Sequence, residues 1–213
     1  MQEAVKAGIK KIAIVSDIES GIHLGRNLRQ IEKYTKDSQM YYTFIHPNWS
    51  YQAFGILTAQ EIQNTGKFST LPLEEAKISW CDARDVAEAT IKVITGKGHE
   101  NKSYNLTGPE SLSCYEMAKI LSRELLQEVI YTNPSLADAL ELIKTRKILD
   151  ADIVDEISEW FKFARDGLCE ELTLDIQSLT GYPPRGFSEW VDQNKLLFLV
   201  NMLSLSGGEE GGS

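Results

Sequence analysis

With 213 residues, 42% of them hydrophobic and 25% charged, the chain is long enough to bury one sizeable core plus a small appendage. No run of about 18 apolar residues marks a membrane span and no basic-then-apolar start marks a signal peptide, so the expectation is a cytoplasmic protein with no membrane partner. A formal charge of −9 with scattered Lys and Arg argues against a nucleic-acid partner, and Cys81, Cys114 and Cys169 lack metal-ligand spacing and read as buried, reduced thiols.

Residues 4–7 read as the last turn of a helix closed by a left-handed Gly8, and 12–15 as a short buried strand. Leu24, Leu28, Ile31 and Tyr34 recur at helical spacing within 22–37, and 42–45 form a second strand that stops at His46-Pro47. Strand, helix, strand at this spacing is a βαβ unit with parallel strands and a right-handed crossover, which makes the fold class α/β. Thr58 and Glu61 have capping-box spacing and start a short helix that Gly66 ends. A strand at 78–80 follows, then a helix through Ala87 and Ile91 to Ile94 for which either Asp82 or Asp85 is the cap.

The stretch 102–106 is a further strand, leading into the turn TGPE. Ser113 and Glu116 form a second capping box ahead of a helix, and 128–131 returns as a strand. From Pro134 onward the pattern is helical alone, at 135–145, 153–165, 174–180 and 188–203, with Gly181, Pro183 and Pro184 separating the last two. The closing GGEEGGS is too poor in apolar residues to fold and reads as a disordered tail.

Three stretches, IEKYTKDSQMYYTFIHPNW, SWCDARDVAEATIKVITGKGHENKSYNLTGPESLSCYEMAKILSREL and LTGYPPRGFSEWVDQN, resemble in order and spacing the NmrA-like branch of the atypical short-chain dehydrogenases, over about 3–194. The resemblance implies a partial doubly wound, Rossmann-like parallel sheet with a small, mostly helical substrate region. On that basis 1–132 is the C-terminal part of an NAD(P)-binding domain, 133–203 the helical region and 204–213 the tail. Members bind NAD or NADP. Some resemble NAD(P)H-dependent oxidoreductases acting on quinones or other small carbonyl acceptors, and others are nucleotide-sensing regulators without turnover. The family's glycine-rich fingerprint, G-x-x-G-x-x-G or G-x-G-x-x-G, is not found in these 213 residues. The resemblance therefore implies that roughly 80 to 90 residues, about one mononucleotide-binding half, would precede Met1. Without the amide cradle for pyrophosphate, this chain alone is expected to bind a dinucleotide weakly or not at all.

Ligands of α/β proteins bind at the carboxyl ends of the strands, which singles out Ser16 and Asp17 after the first strand and His46, Pro47 and Asn48 after the second as candidate cofactor contacts. Asp17, where the family commonly shows a serine, would favour an oxidised, positive nicotinamide or else is a turn residue; His46, where Arg is usual, is an acid or a packed, hydrogen-bonded side chain. Trp49, Tyr51 and Phe54 either line an acceptor pocket or cover the sheet end. The family register puts Leu24 and Leu28 where a catalytic Tyr and Lys would stand. Tyr115 and Lys119, the one Tyr-x-x-x-Lys in the chain, lie inside the helix capped by Ser113 and read as structural. Trp160, Phe161 and Phe163 read as core. No catalytic residue and no metal site is assigned. Two functions remain open: an NAD(P)H-dependent oxidoreductase, or a non-catalytic nucleotide sensor or remnant that pairs with a partner, or with itself, through an exposed sheet edge.

Overall fold

The computed structural model describes residues 2–17, 26–38 and 40–199. Helix α1 (Gln2–Lys6) ends in a turn with Gly8 at φ 75°, the left-handed position that glycine takes without a Cβ clash, and delivers the chain into β1 (Lys11–Val15). Helix α2 (Arg26–Lys36) then leads to β2 (Tyr41–Pro47), which pairs in parallel with β1 from Lys11 opposite Tyr41 to Val15 opposite Ile45. The helix expected from residue 22 is seen from Arg26, its first residues lying outside those described.

Helix α3 (Tyr51–Thr65) differs from expectation. It begins seven residues before Thr58, capped by the Ser50 hydroxyl, which accepts from the Ala53 N–H, and it ends as expected at a left-handed Gly66. Thr58 is mid-helix, its hydroxyl donating to the Phe54 carbonyl at 2.8 Å, while Glu61 accepts from the Ser69 N–H at 3.0 Å. The capping-box spacing was therefore a coincidence of two residues with other partners. Short strands β3 (Lys67–Phe68) and β4 (Lys77–Ile78) follow. Helix α4 (Ala83–Thr95) is capped by Asp82, not Asp85, through the Arg84 N–H at 2.9 Å.

Strand β5 (Lys102–Leu106) completes the main sheet in the order β1-β2-β5, all parallel. After β6 (Leu112–Ser113), which pairs antiparallel with β4, helix α5 (Cys114–Leu125) starts on the expected capping box: the Glu116 N–H donates to Ser113 Oγ at 3.3 Å and the Ser113 N–H to Glu116 Oε2 at 2.8 Å. Strand β7 (Ile130–Tyr131) pairs with β3. Helices α6 (Leu136–Thr145), α7 (Ala151–Arg165), α8 (Asp175–Thr180) and α9 (Phe187–Gln193) make up the rest, with a 3-10 turn at Lys195–Leu197. The last helix is shorter than expected because the Asn194 amide donates to the Trp190 carbonyl at 2.8 Å, competing with the helical ladder.

The period-two alternation of β2 sorts its side chains onto two covered faces. Lys36 of α2 lies 5.3 Å from the Phe44 ring centroid, and Glu32 of α2 meets His46. Ile45 faces the other way and joins Ala89 and Val93 of α4, Leu106 and Ile176. Helices on both faces of a parallel sheet make the α/β, Rossmann-like arrangement. A second, larger core joins α3, α5, α7 and α9 on both sides of position 132. The helical region is fastened to β5 by the Asn105 N–H donating to Asp175 at 2.8 Å and the Thr173 N–H donating to Thr107 Oγ1 at 2.9 Å. Among the described residues no strand pairs with the far side of β1. No described helix is long and apolar enough to cross a membrane.

Candidate functional site

A cavity of about 290 Å³ opens where the carboxyl ends of β1 and β2 meet the helical region. One wall comes from Trp49 and from Ala53, Ile56 and Leu57, which share one face of α3. The facing wall is Leu149 with Ile153, Ile157 and Trp160, one stripe of α7. The two walls meet where the Trp49 and Trp160 rings stack at a centroid separation of 3.3 Å and an angle of 11°, with Trp80 edge-on to Trp49 at 5.5 Å. Asp17, directly after β1, also lines the cavity. An apolar, aromatic recess with one carboxylate, at the carboxyl ends of parallel strands, has the form of a small-molecule site.

The residues singled out from the sequence fall into two groups. Asp17 and Trp49 line the cavity. Beside Asp17, the Ser16 N–H donates to the Ile45 carbonyl at 2.8 Å, and its Oγ is buried with no hydrogen-bond partner among the described residues. An orphaned hydroxyl at this place fits a polar ligand group such as a nicotinamide carboxamide. The other residues are built into the protein. His46 bridges Glu32 Oε1 at 2.9 Å and Asn105 Oδ1 at 3.2 Å, tying α2 and β5 to the end of β2. Pro47 closes β2 opposite Leu106. Asn48 is buried, donating to Ser79 Oγ at 2.8 Å and the Cys169 carbonyl at 2.9 Å.

Tyr51 and Phe54 are fully buried in the larger core and are not among the cavity-lining residues. Burial, with Glu110 adding to it, drives the Tyr51 phenol far above its usual range, and its hydroxyl donates to the Arg185 carbonyl at 3.3 Å. Leu28 is half-buried on α2; Leu24 lies outside the described residues. Tyr115, in α5, packs edge-on against Tyr131 at 4.8 Å. All three cysteines are buried and outside any disulfide, and burial pushes the Cys81 thiol up to about 12. Among the described residues no cluster of His, Cys, Asp and Glu has the arrangement of a metal site.

The α7 wall was missed from the sequence, although its signal was present: 153, 157 and 160 recur at helical spacing. Also missed was the role of the motif residues. In DARDVA, Asp85 is buried and accepts from the Arg185 backbone N–H at 2.8 Å and from its guanidinium, while Arg185 also reaches Glu88 at 2.8 Å. The two motifs thus clasp one another, far apart in sequence. Gly108, in LTGPE, is required by a close approach: a Cβ there would lie 1.9 Å from the Trp80 carbonyl oxygen.

A model of the NmrA-like family matches residues 27–191. The chain is 31% identical over 199 residues to the NAD(P)H azoreductase of Xenophilus azovorans, covering 92% of this chain and 68% of that one. It is 28% identical over 201 residues to quinone oxidoreductase 2 of Escherichia coli, covering 93% and 68%. The crystal structure of the Escherichia coli NADPH-dependent quinone oxidoreductase with NADPH superimposes with a TM-score of 0.82 at 26% identity, covering 91% of this chain and 69% of that one.

Proposed function

The chain belongs to the NmrA-like family, and from that premise we propose that it is an NAD(P)-dependent reductase whose small planar acceptor, a quinone or another carbonyl compound, sits in the cleft between α3 and α7. The observation that carries this reading is the position of the cleft, an apolar recess at the carboxyl ends of β1 and β2 with a tryptophan pair in its wall. A reduced nicotinamide, when bound, supplies the hydride. The chain's own residues do the rest. Ser16 Oγ holds the carboxamide, the Asp17 carboxylate favours the positive charge left on the ring, and the aliphatic side chains of α3 and α7 keep water from the acceptor. Pyrophosphate has no glycine-rich turn to grip in these 213 residues, so we expect weak dinucleotide affinity from them alone.

The test is a titration of the purified chain with NADH, NADPH and a short-chain quinone, read by tryptophan fluorescence and by loss of reduced-nicotinamide absorbance. Ile56→Trp, at a 65% exposed position on the cleft wall, should fill the mouth and weaken acceptor binding while changing stability by no more than about 0.5 kcal/mol. Quenching by quinone that is identical in wild type and Ile56→Trp would refute the assignment of the cleft.

One observation favours a second reading, a non-catalytic sensor or partner-dependent chain. The far side of β1 has no strand partner among the described residues, and Val15 in that strand is 48% exposed. Sedimentation decides it: a stable monomer at high concentration, with turnover, excludes dependence on a partner.

A further inference from the structure

We propose that two copies of this chain pair through the outer face of α4, antiparallel about a two-fold axis near Ile91. The inference is independent of the acceptor reading of the cleft. Buried Asp85, Ala89 and Val93 turn one face of α4 toward the sheet, where Ala89 and Val93 pack with Ile45 and Leu106. At 3.6 residues per turn, Ala87 and Ile91 stand about half a turn away from Ala89 and Val93, and Ile94 extends their stripe at i+3. All three are exposed, Ile91 at 59% and Ile94 at 58%. A surface helix ordinarily carries polar residues on the side opposite its core stripe, and α4 carries isoleucine there. Neighbouring helices in the same layer of an α/β fold reach α4 at its flanks, about a quarter-turn from the sheet face. A stripe half a turn away faces out of the layer, toward a molecule that binds from outside.

The charges beside the stripe point to a second copy as the occupant. Toward the start of α4, Asp85 and Glu88 share the Arg185 guanidinium, two carboxylates on one cation, which leaves a negative charge over at the half-exposed Glu88. Arg84 in the same turn is matched by Asp82 at 2.6 Å. Toward the end of α4, Lys92 and Lys97 are exposed and have no ion-pair partner among the described residues. The outer side of α4 is therefore negative near its start and positive near its end. An antiparallel copy sets Ala87 against the partner's Ile94, Ile91 beside the partner's Ile91, and Glu88 within reach of the partner's Lys92, each contact made twice, as an isologous interface requires. A parallel copy sets like charge on like. The formal charge of −9 opposes association at long range, but at physiological salt a Debye length of about 8 Å leaves the local pattern in control. One helix per copy covers far less than the roughly 800 Å² per partner of a standard interface, so the dimer is weak, with a dissociation constant of about 10–100 μM.

The test is sedimentation velocity of the whole chain at concentrations spanning about 5 to 500 μM, where wild type should pass from monomer to dimer. Ile91→Lys, a change at an exposed position that leaves the fold intact, should weaken the dimer by about tenfold or more. Glu88→Lys and Lys92→Glu should each stay monomeric by themselves at concentrations where wild type dimerises, since each sets like charges together across the axis. An equimolar mixture of those two variants should dimerise, because every altered charge then faces its opposite. That rescue separates lost pairing from lost folding. The proposal is overturned by a wild type that is monomeric throughout, or by a dimer that survives Ile91→Lys and so uses another surface such as the edge of β1. It is overturned equally if the single charge variants associate as wild type does or if their mixture fails to associate.

Discussion

Arg185→Met should destabilise the protein more than Asp85→Asn, although each breaks the same ion pair. The side chains differ in what is left behind: Arg185 is 29% exposed and Asp85 only 4%. Removing the guanidinium strands a buried carboxylate that keeps one bond, from the Arg185 backbone N–H at 2.8 Å. Losing a charge-assisted partner in that setting costs about 2–4 kcal/mol, and the Arg185–Glu88 pair, with Glu88 47% exposed, adds no more than about 0.5 kcal/mol. For a chain of this length the loss corresponds to a fall in Tm of roughly 5–15 °C. Asp85→Asn leaves an amide that still accepts from the same N–H and a guanidinium that water and Glu88 can satisfy, so its cost is about 0–1 kcal/mol.

The pH dependence separates the two further. Burial holds the Asp85 pKa above the usual carboxylate range in spite of Arg185. A raised folded pKa means that the penalty of ionising Asp85 is absent below its unfolded pKa and complete once pH exceeds the folded value. Without Arg185 the folded pKa rises further, so the Arg185→Met deficit relative to wild type should shrink as pH is lowered from neutral toward the carboxylate range. Urea unfolding followed by tryptophan fluorescence at two pH values measures all of this. Equal losses in the two variants, the reverse order, or a deficit that grows on acidification would refute the reasoning.

Ser113→Ala removes the Ser113 hydroxyl from the α5 capping box and should cost about 1 kcal/mol, read as a Tm shift with the cleft unaffected. Gly108→Ala puts a Cβ 1.9 Å from the Trp80 carbonyl oxygen, and since backbone must move to relieve it, the loss should reach about 3 kcal/mol or more in chemical denaturation. His46→Leu deprives Glu32, whose side chain is 9% exposed, of its 2.9 Å partner; a loss of about 1–3 kcal/mol that Glu32→Leu partly restores is the expected double-mutant result.

Much of the sheet was legible because its signals are local. The Gly8 turn, the two strands around α2, the strand at 102–106 and the Ser113–Glu116 box each follow from a few neighbouring residues. The start of α3 was not legible in the same way. Trp49, Tyr51 and Phe54 look like a strand end or a pocket, and only the packing of α3 against Phe68, Trp80 and Phe187 turns Tyr51 and Phe54 into core. His46 and Asn48 were visible as polar residues at the right edge of the sheet, but their partners at 32, 105, 79 and 169 are brought in by the topology. The Asp85–Arg185 clasp spans a hundred residues, so no local pattern could reveal it. Of the cleft, Asp17 and Trp49 were found from strand ends alone, whereas the α7 stripe needed the helix to be docked first.

Helix α7 divides its duties along one cylinder. Val154, Phe161 and Ala164 have no exposed surface and hold it in the core, while Ile153, 45% exposed, touches the cleft without carrying that load. Positions of the second kind can be exchanged one at a time at little risk to folding. A lineage built on this frame can therefore reshape the lining of the cleft by drifting at residue 153, leaving the scaffold beneath it untouched.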